Sequence, residues 1–383
     1  MNGETPYDWQ VKAVRDLATY KKGIIKAVPG SGKTLAGILA IQRMLDLTSE
    51  GEIVVLVPTS ELKKQWSKII SQKIFPPENR SRIILETFSM VGRHLKQYPD
   101  AEVKKFTMAV VDECHRTHSP VFSNIYKMKA EYWLGLSATP SKDCFAKFGK
   151  VLVDLSWEEA RISKFTLNFI GTELSVKEKR EYDRYTNLIK EGYAQYPKDE
   201  KKLLFLSLRR RDIVHRAQSK LDCAVSLILK NKDKRMMVFG ERINQIEKIA
   251  ETLHTKNIPY AILHSDRDDG FDEYMKGKIN ILLSSRMLRE GFNDPTAEIG
   301  VITSFPLTRT THVQTIGRLV RYMNGKNAQI YYIVANDTTD INLIGEARRA
   351  CGKERVNVML DYVQENIEDD IWNEDRYAKN GVK

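Results

Sequence analysis

The chain alternates short apolar runs with longer segments whose apolar positions recur at helical spacing. Between residues 1 and 150 the runs are GIIKAV (23–28), IVVLV (53–57), RIILETF (82–88), MAVVDE (108–113) and WLGLSAT (133–139). Runs of this length rich in Val, Ile and Leu predict strands covered on both faces, as in a parallel sheet. LAGILAIQRMLDL (35–47) and SELKKQWSKII (60–70) read as the intervening helices, with Thr59 or Ser60 as an N-cap. The alternation resumes with MMVF (236–239), YAILH (260–264), INILLSS (279–285), IGVITS (299–304) and QIYYIVA (329–335). Helical patterns fall between them, in ERINQIEKIAETLHTK and THVQTIGRLVRYM. Two such arrays predict two α/β domains with mostly parallel sheets.

The interval 141–230 departs from this pattern. It is rich in Lys, Arg, Glu and Tyr and reads mainly as helix. The expected organisation is a first domain over 1–150, a helical linker or insertion over 151–230, a second domain over 231–340 and a C-terminal helical tail over 341–383. A length of 383 residues suits two or three domains, and a hydrophobic content of 42% excludes a disordered chain. The net charge is +11, distributed as 23 basic against 15 acidic side chains over 1–150 but 7 against 10 over 340–383. The basic surplus therefore belongs to folded segments rather than a tail, as a surface facing a polyanion would require. The four cysteines are far apart, which argues against a disulfide framework and for a reducing compartment. The N-terminal residues carry no leader pattern, and no apolar run approaches the roughly 20 residues of a membrane helix. The expectation is a soluble monomer of a bacterial or phage-infected cytoplasm, with no membrane partner.

Chemistry enters at Pro29-Gly30-Ser31-Gly32-Lys33-Thr34, between the strand GIIKAV and the helix that follows. Glycines there let backbone N–H groups turn inward around phosphate oxygens, and the helix N-terminus adds a favourable dipole. Lys33 would reach the β- and γ-phosphates and Thr34 would offer its hydroxyl to Mg²⁺. Ala27 stands where the strict pattern has its first glycine. The strand MAVV ends in Asp112-Glu113-Cys114-His115, placing carboxylates at the edge where ligands of parallel sheets bind. Asp112 would hold the metal and Glu113 would deprotonate the attacking water. A competing reading makes Cys114, His115 and His118 metal ligands, although no second cluster completes the set. In the second array Gln314, Arg318 and Arg321 recur at i, i+4 and i+7 on a predicted helix, with Gly317 beside them. Two guanidiniums aimed at one point suit a triphosphate; a solvated basic face would explain the arginines alone.

These blocks, in this order, resemble the superfamily 2 helicases and translocases over nearly the whole chain. Tyr7 and Gln10 resemble the adenine-reading Q-type motif, AVPGSGKT motif I, VPTSELKKQW motif Ia and ETFS (86–89) motif Ib. VVDECH resembles motif II in a DExH, DECH-box form, and LSATP (136–140) motif III. MVFGERINQIEKIAETL, SSRMLREGFNDP (284–295) and QTIGRLVR (314–321) resemble motifs IV, V and VI. The DECH box, the Gln opening motif VI and the segment SWEEARISKFTLNFIGTELSVKEKREYDRY are similar to the XPB-like, type III restriction-like and phage UvsW-like DNA motors rather than the DEAD-box proteins. Asn293 departs from that pattern, where such motors often carry Asp; Asp294 is adjacent.

The resemblance implies two tandem RecA-like P-loop domains, a helical insertion and a short C-terminal helical segment. It implies ATP and Mg²⁺ as cofactors, with Tyr7, Gln10, Pro29, Gly30, Ser31, Gly32, Lys33, Thr34, Asp112 and Gly291 contacting the nucleotide. Lys33, Glu113, Gln314, Arg318 and Arg321 would be catalytic, and Thr34 and Asp112 would hold the metal. Ser137 and Thr139 would couple nucleotide state to strand contacts, and Thr59, Ser60, Thr87, Ser285 and Arg286 would touch the nucleic-acid backbone. The implied activity is that of an ATP-dependent DNA helicase or double-strand translocase that moves along or remodels DNA, with branched DNA among the candidate substrates and repair or recombination as the setting. An RNA helicase of the DExH type, or a motor without intrinsic unwinding serving a partner nuclease, remain open. Arg209, Arg210 and Arg211 read equally as a phosphate grip or fork wedge and as a solvated face. Tyr182, Tyr185, Tyr193 and Tyr196 read as packing residues.

Overall fold

A computed structural model describes residues 5–71, 75–97, 105–120, 122–195, 198–285, 294–304 and 309–359. The chain divides into two compact units, and each contains one parallel sheet. The first unit takes in Met1–Ser163, the later stretch Val313–Asn324 and a short piece ending at Pro295.

Its sheet is built from β1 (Lys22–Ala27), β2 (Ile53–Val57), β3 (Ile83–Thr87), β4 (Lys105–Asp112), β5 (Lys129–Ser137) and β6 (Val151–Leu155), in the order β3-β2-β4-β5-β1-β6. Every pairing is parallel, so all six strands end at the same edge. The apolar runs are covered as their composition requires: all of β2 and most of β4 are buried. The outer strand β3 is only half-buried along its length, because an edge strand is covered less completely. The covering helices are α1 (Asp8–Tyr20), α2 (Lys33–Leu47), α3 (Ser60–Ile69), α4 (Pro77–Arg80), α5 (Phe88–Gln97) and α6 (Lys142–Phe148). Thr59 caps α3, its hydroxyl accepting from the Leu62 N–H. Ile24, Val54, Phe88, Val111, Trp133 and Phe148 lie at the centre of one core cluster.

The second unit begins at Lys164. Its sheet holds β7 (Lys164–Thr172), β8 (Met236–Gly240), β9 (Ala261–Leu263), β10 (Ile281–Ser285), β11 (Ile299–Ile302), β12 (Asn327–Ala335) and β13 (Val356–Met359), in the order β13-β7-β12-β11-β8-β10-β9. Its helices are α7 (Val176–Ala194), α8 (Glu200–Arg216), α9 (Gln218–Lys230), α10 (Ile243–Thr255), α11 (Phe271–Met275) and α13 (Asn342–Cys351). α12 (Arg309–Leu319) starts in this unit and, from Val313, continues in the first. α7 opens with a capping box formed by Ser175 and Glu178, and packs on α8 through Ile189, Leu203 and Leu206. Tyr182 sits in a core with Ile213, Val214 and Ala335, and Tyr185 packs against the same helices, so these two tyrosines are packing residues.

The expected pair of parallel-sheet α/β domains is present. Three details differ from the sequence reading. The interval 151–230 is not helical throughout: it opens with β6, which joins the first sheet, and β7, which joins the second. Asn168 disguises β7, since a buried amide breaks the apolar run. It is accommodated by donating to the Gln329 side chain (3.0 Å) and accepting from Asn357 (3.1 Å) across three strands. Among the described residues of the C-terminal segment, α13 is followed by the strand β13, which pairs with β7. The stretch Val313–Asn324, expected to belong to the second domain, packs within the first unit.

Candidate nucleotide site

Because the strands of the first sheet are parallel, the ends of β1, β4 and β5 bring three segments together at one edge, the side where α/β sheets bind ligands. After β1 the chain turns through Gly30 (φ 82°) and Gly32 (φ 99°), left-handed conformations that favour glycine, and enters α2 at Lys33. Ser31 closes the turn by donating to the Val28 carbonyl at 2.6 Å. Lys33 is buried, its ammonium donating to the carbonyls of Ala27 (2.7 Å) and Val28 (3.2 Å). Burial holds its pKa below the usual lysine value, opposed by the carboxylates of Glu113 and Asp112. A buried cation that rests on carbonyl oxygens with no carboxylate bonded to it is poised to exchange those partners for a phosphate. Gln10 accepts from the Tyr7 N–H at 2.9 Å and donates to the Gly32 carbonyl at 3.0 Å. Both ends of its amide thus tie the start of α1 to the glycine turn.

Asp112 ends β4. One oxygen accepts from the Trp66 indole at 2.9 Å and the other from the Glu113 N–H at 3.0 Å. Burial, then the charge of Glu113, pushes its pKa up to about 6. Glu113 itself occupies the left-handed region (φ 48°), an uncommon conformation for a side chain with a Cβ. That turn places Glu113 Oε2 3.3 Å from His115 Nδ1, which also lies 2.9 Å from Ser137 Oγ at the end of β5. Ser137 Oγ in turn accepts from the Thr139 N–H at 3.1 Å. Burial lowers the His115 pKa to about 4, so the ring is neutral at physiological pH. Its Nε2 lies 3.5 Å from Gln314 Nε2. A neutral ring that accepts at Nε2 carries its proton on Nδ1, where Glu113 and Ser137 can receive it.

The stretch carrying Gln314 is held close by shape. A Cβ on Gly317 would fall 2.1 Å from Pro29 Cβ, so only glycine fits there. Arg318 is half-buried on α12. Arg321 is not on the helix, contrary to the spacing argument: α12 stops at Leu319. Ser163 captures the backbone beyond that point, its N–H donating to the Val320 carbonyl, its hydroxyl donating to the Arg321 carbonyl (2.8 Å) and accepting from the Met323 N–H (2.9 Å). Arg321 nevertheless flanks the glycine turn, its Cγ 3.7 Å from where a Gly30 Cβ would stand.

The same edge carries other candidates one and two strands further out. Thr59 follows β2, and Thr87, at the end of β3, accepts from the Met90 N–H at the start of α5. Ser60 bonds its neighbour Glu61. Ser285 ends β10 in the second unit, on a different sheet. Arg286 and Gly291, with Asn293, lie outside the described residues. Asp294 is described and buried. The alternative ligands Cys114, His115 and His118 point elsewhere: Cys114 is in the core, and His118 Nδ1 meets the His115 carbonyl. Sequence reasoning missed Trp66, Arg161, Ser163 and Tyr322. Arg161 stacks over the Tyr322 ring at 4.5 Å. No local signal marks these four, because their partners lie far away in the sequence.

An α/β unit with a glycine turn, a strand-end Asp-Glu and an apposed Gln-x-x-Gly-Arg segment defines a P-loop protein of the helicase class. Two family models match the chain: the type III restriction enzyme, res subunit, over residues 4–142, and the helicase conserved C-terminal domain over 219–323. These matches support a superfamily 2 helicase of the branch that includes XPB and the type III restriction subunits. It is 24% identical to Rad25 of Haloarcula marismortui, covering 92% of this chain and 56% of that protein. It is 23% identical to the DNA 3'-5' translocase XPB2 of Sulfurisphaera tokodaii, covering 88% and 83%. The chain thus spans little more than half of the first of these relatives. The Hef helicase domain of Pyrococcus furiosus shares the fold, with a TM-score of 0.57 at 14% identity, covering 90% of this chain and 98% of that one.

Proposed function

We propose that this protein is a nucleic-acid-dependent ATPase that works as a DNA helicase or double-strand DNA translocase. The observation that carries the reading is the meeting of Lys33, Asp112, Glu113 and Gln314 at the edge where β2 leads into Thr59 and β3 ends at Thr87. One half of that edge suits a triphosphate and the adjoining half a phosphate backbone.

In this reading the glycine turn binds the ATP phosphates and Lys33 leaves its two carbonyls for the β- and γ-oxygens. The oxygen donors Thr34 and Asp112 fit Mg²⁺, a hard cation, which would screen charge on the phosphates when bound. Glu113 takes a proton from the attacking water. His115 links Glu113 to Ser137 on one side and Gln314 on the other, so the state of the nucleotide is felt at both. Arg318 and Arg321 supply positive charge for the γ-phosphoryl group. Phosphate contacts from hydroxyls and backbone amides would make strand binding salt-sensitive and independent of sequence. The choice of DNA rests on relatives named as DNA helicases or translocases.

The test is an ATPase panel with single-stranded, double-stranded and branched DNA against RNA. Stimulation by DNA is expected, and stimulation by RNA alone would overturn the DNA assignment. Strand displacement by the isolated protein separates a helicase from a motor that serves a partner nuclease.

A further inference from the structure

The three consecutive arginines of α8 part company in the fold. Arg210 turns back onto α7, lying 5.5 Å from the Tyr182 ring and donating to the Thr186 hydroxyl at 3.4 Å. Arg211 lies 3.5 Å from Glu241. Arg209 stays outside, over the ring of Phe205 at 5.1 Å.

Phe205 belongs to an unusual surface. Leu204, Phe205 and Leu208 are 60%, 53% and 45% exposed on a helix whose opposite face, Leu203 and Leu206, is fully used in packing. Lys201, Phe205, Leu208 and Arg209 fall at i, i+4, i+7 and i+8, so they share one side, with Lys202 at its margin. Among the described residues no carboxylate pairs with Lys201, Lys202 or Arg209. A contiguous apolar patch rimmed by cations marks an interaction surface. Unneutralised cations on three sides select a polyanion. An exposed ring beneath a guanidinium is a platform on which a flat heterocycle stacks. The same side of α8 continues into Asp212 and Arg216, which line a cleft of about 500 Å³ with Arg242, Ser265 and Ser285, the last a candidate backbone contact.

We propose that this face of α8 binds unpaired bases where a duplex opens, with Phe205 stacking on a base and Lys201, Lys202 and Arg209 holding the flanking phosphates. The proposal rests on the nucleic-acid reading above and narrows it to junctions. Bases inside a duplex are stacked on each other and offer no free face, so the contact discriminates forked from blunt substrates.

The experiment measures binding of the full chain to a forked DNA and to a blunt duplex of equal length, each over a salt series. Phe205→Ala should weaken fork binding by roughly 5- to 150-fold, the range for loss of one stacked base, and leave the blunt duplex unchanged. Phe205→Tyr should restore fork binding. Arg209→Gln should lower the salt slope on the fork by about one ion. Both positions are exposed, and unchanged thermal melts verify the fold. Equal effects on the two substrates, or none, would overturn the proposal and leave the nucleic-acid reading standing; the face would then be one for an acidic protein. A wild-type chain that binds neither DNA would overturn both.

Discussion

Trp66 donates its indole N–H to Oδ2 of Asp112 at 2.9 Å, and both side chains are buried. Trp66 lies seven residues after Thr59, the N-cap of α3, two turns along the same helix. One short helix therefore carries a candidate backbone contact at its start and a direct hold on the candidate metal carboxylate near its end. A strand bound at Thr59 and a nucleotide bound at Asp112 would act on one rigid element.

Trp66→Phe tests that link, because it keeps most of the ring and removes the donor. A buried carboxylate oxygen then loses its partner, at a cost on the order of 1–3 kcal/mol. Asp112, already raised to about 6, should rise further and hold Mg²⁺ less well. The Mg²⁺ concentration for half-maximal ATPase should increase, and DNA stimulation should fall more than the basal rate. Equal loss of the two rates would refute the link while leaving the metal assignment intact.

Lys33→Ala and Glu113→Gln should fail in different ways. The first removes the only buried ammonium at the glycine turn among the described residues, so ATP binding itself should be lost. The second keeps the shape and the contact toward His115 but cannot accept a proton. It should bind ATP normally, with kcat lowered by about 100-fold or more. Equilibrium nucleotide binding and single-turnover hydrolysis distinguish them, and wild-type turnover by Glu113→Gln would sink the base assignment.

Gly317→Ala sets two effects against each other. Within α12 the exchange should favour the helix by about 1 kcal/mol, since Ala is the better helix former. The new methyl, however, would stand 2.1 Å from Pro29 Cβ, too close for any contact, and Pro29 is part of the turn that holds phosphate. The clash should win at the site: ATPase activity falls at least about 10-fold with no large loss of melting temperature. Full activity would show that this stretch does not press on the turn during catalysis.

The sequence made much of this legible. Apolar runs marked the principal strands, and the identity of the residues at their ends marked Lys33, Asp112 and Glu113, because parallel strands put all their carboxyl ends at one edge. What stayed hidden was long-range. Trp66 reads as an ordinary apolar position of an amphipathic helix until Asp112 is seen beneath it. The end of α12 is set by Ser163, more than 150 residues earlier, so spacing alone left Arg321 on the helix. β7 was obscured by Asn168, whose polar partners come from two other strands. β13 has only four residues, too few for a period to register.

A last prediction concerns pH and the second unit. Glu241 follows β8 and lies 2.9 Å from the buried His215 Nδ1, in the turn that leads into α10. Its backbone N–H donates to Ser304 Oγ, Ser304 donates to Gln245, and Gln245 donates to the His215 carbonyl at 2.9 Å, closing a ring of contacts around the end of α8. The close contact with His215, with help from Arg211 and Arg242, holds the Glu241 carboxyl below the usual value of 4.5. An acid with a depressed native pKa takes up its proton more readily when the chain unfolds, so acid favours unfolding. Its contribution is complete above 4.5 and is lost as pH falls through the lower native value. Glu241→Gln should therefore lower the melting temperature at neutral pH and flatten its decline below about pH 5. Because Arg211 then loses its carboxylate, the turn into α10 should loosen, and hydrogen exchange there should quicken before exchange in β8 does. A melting profile that still falls as steeply in acid would assign that limb to other carboxyls.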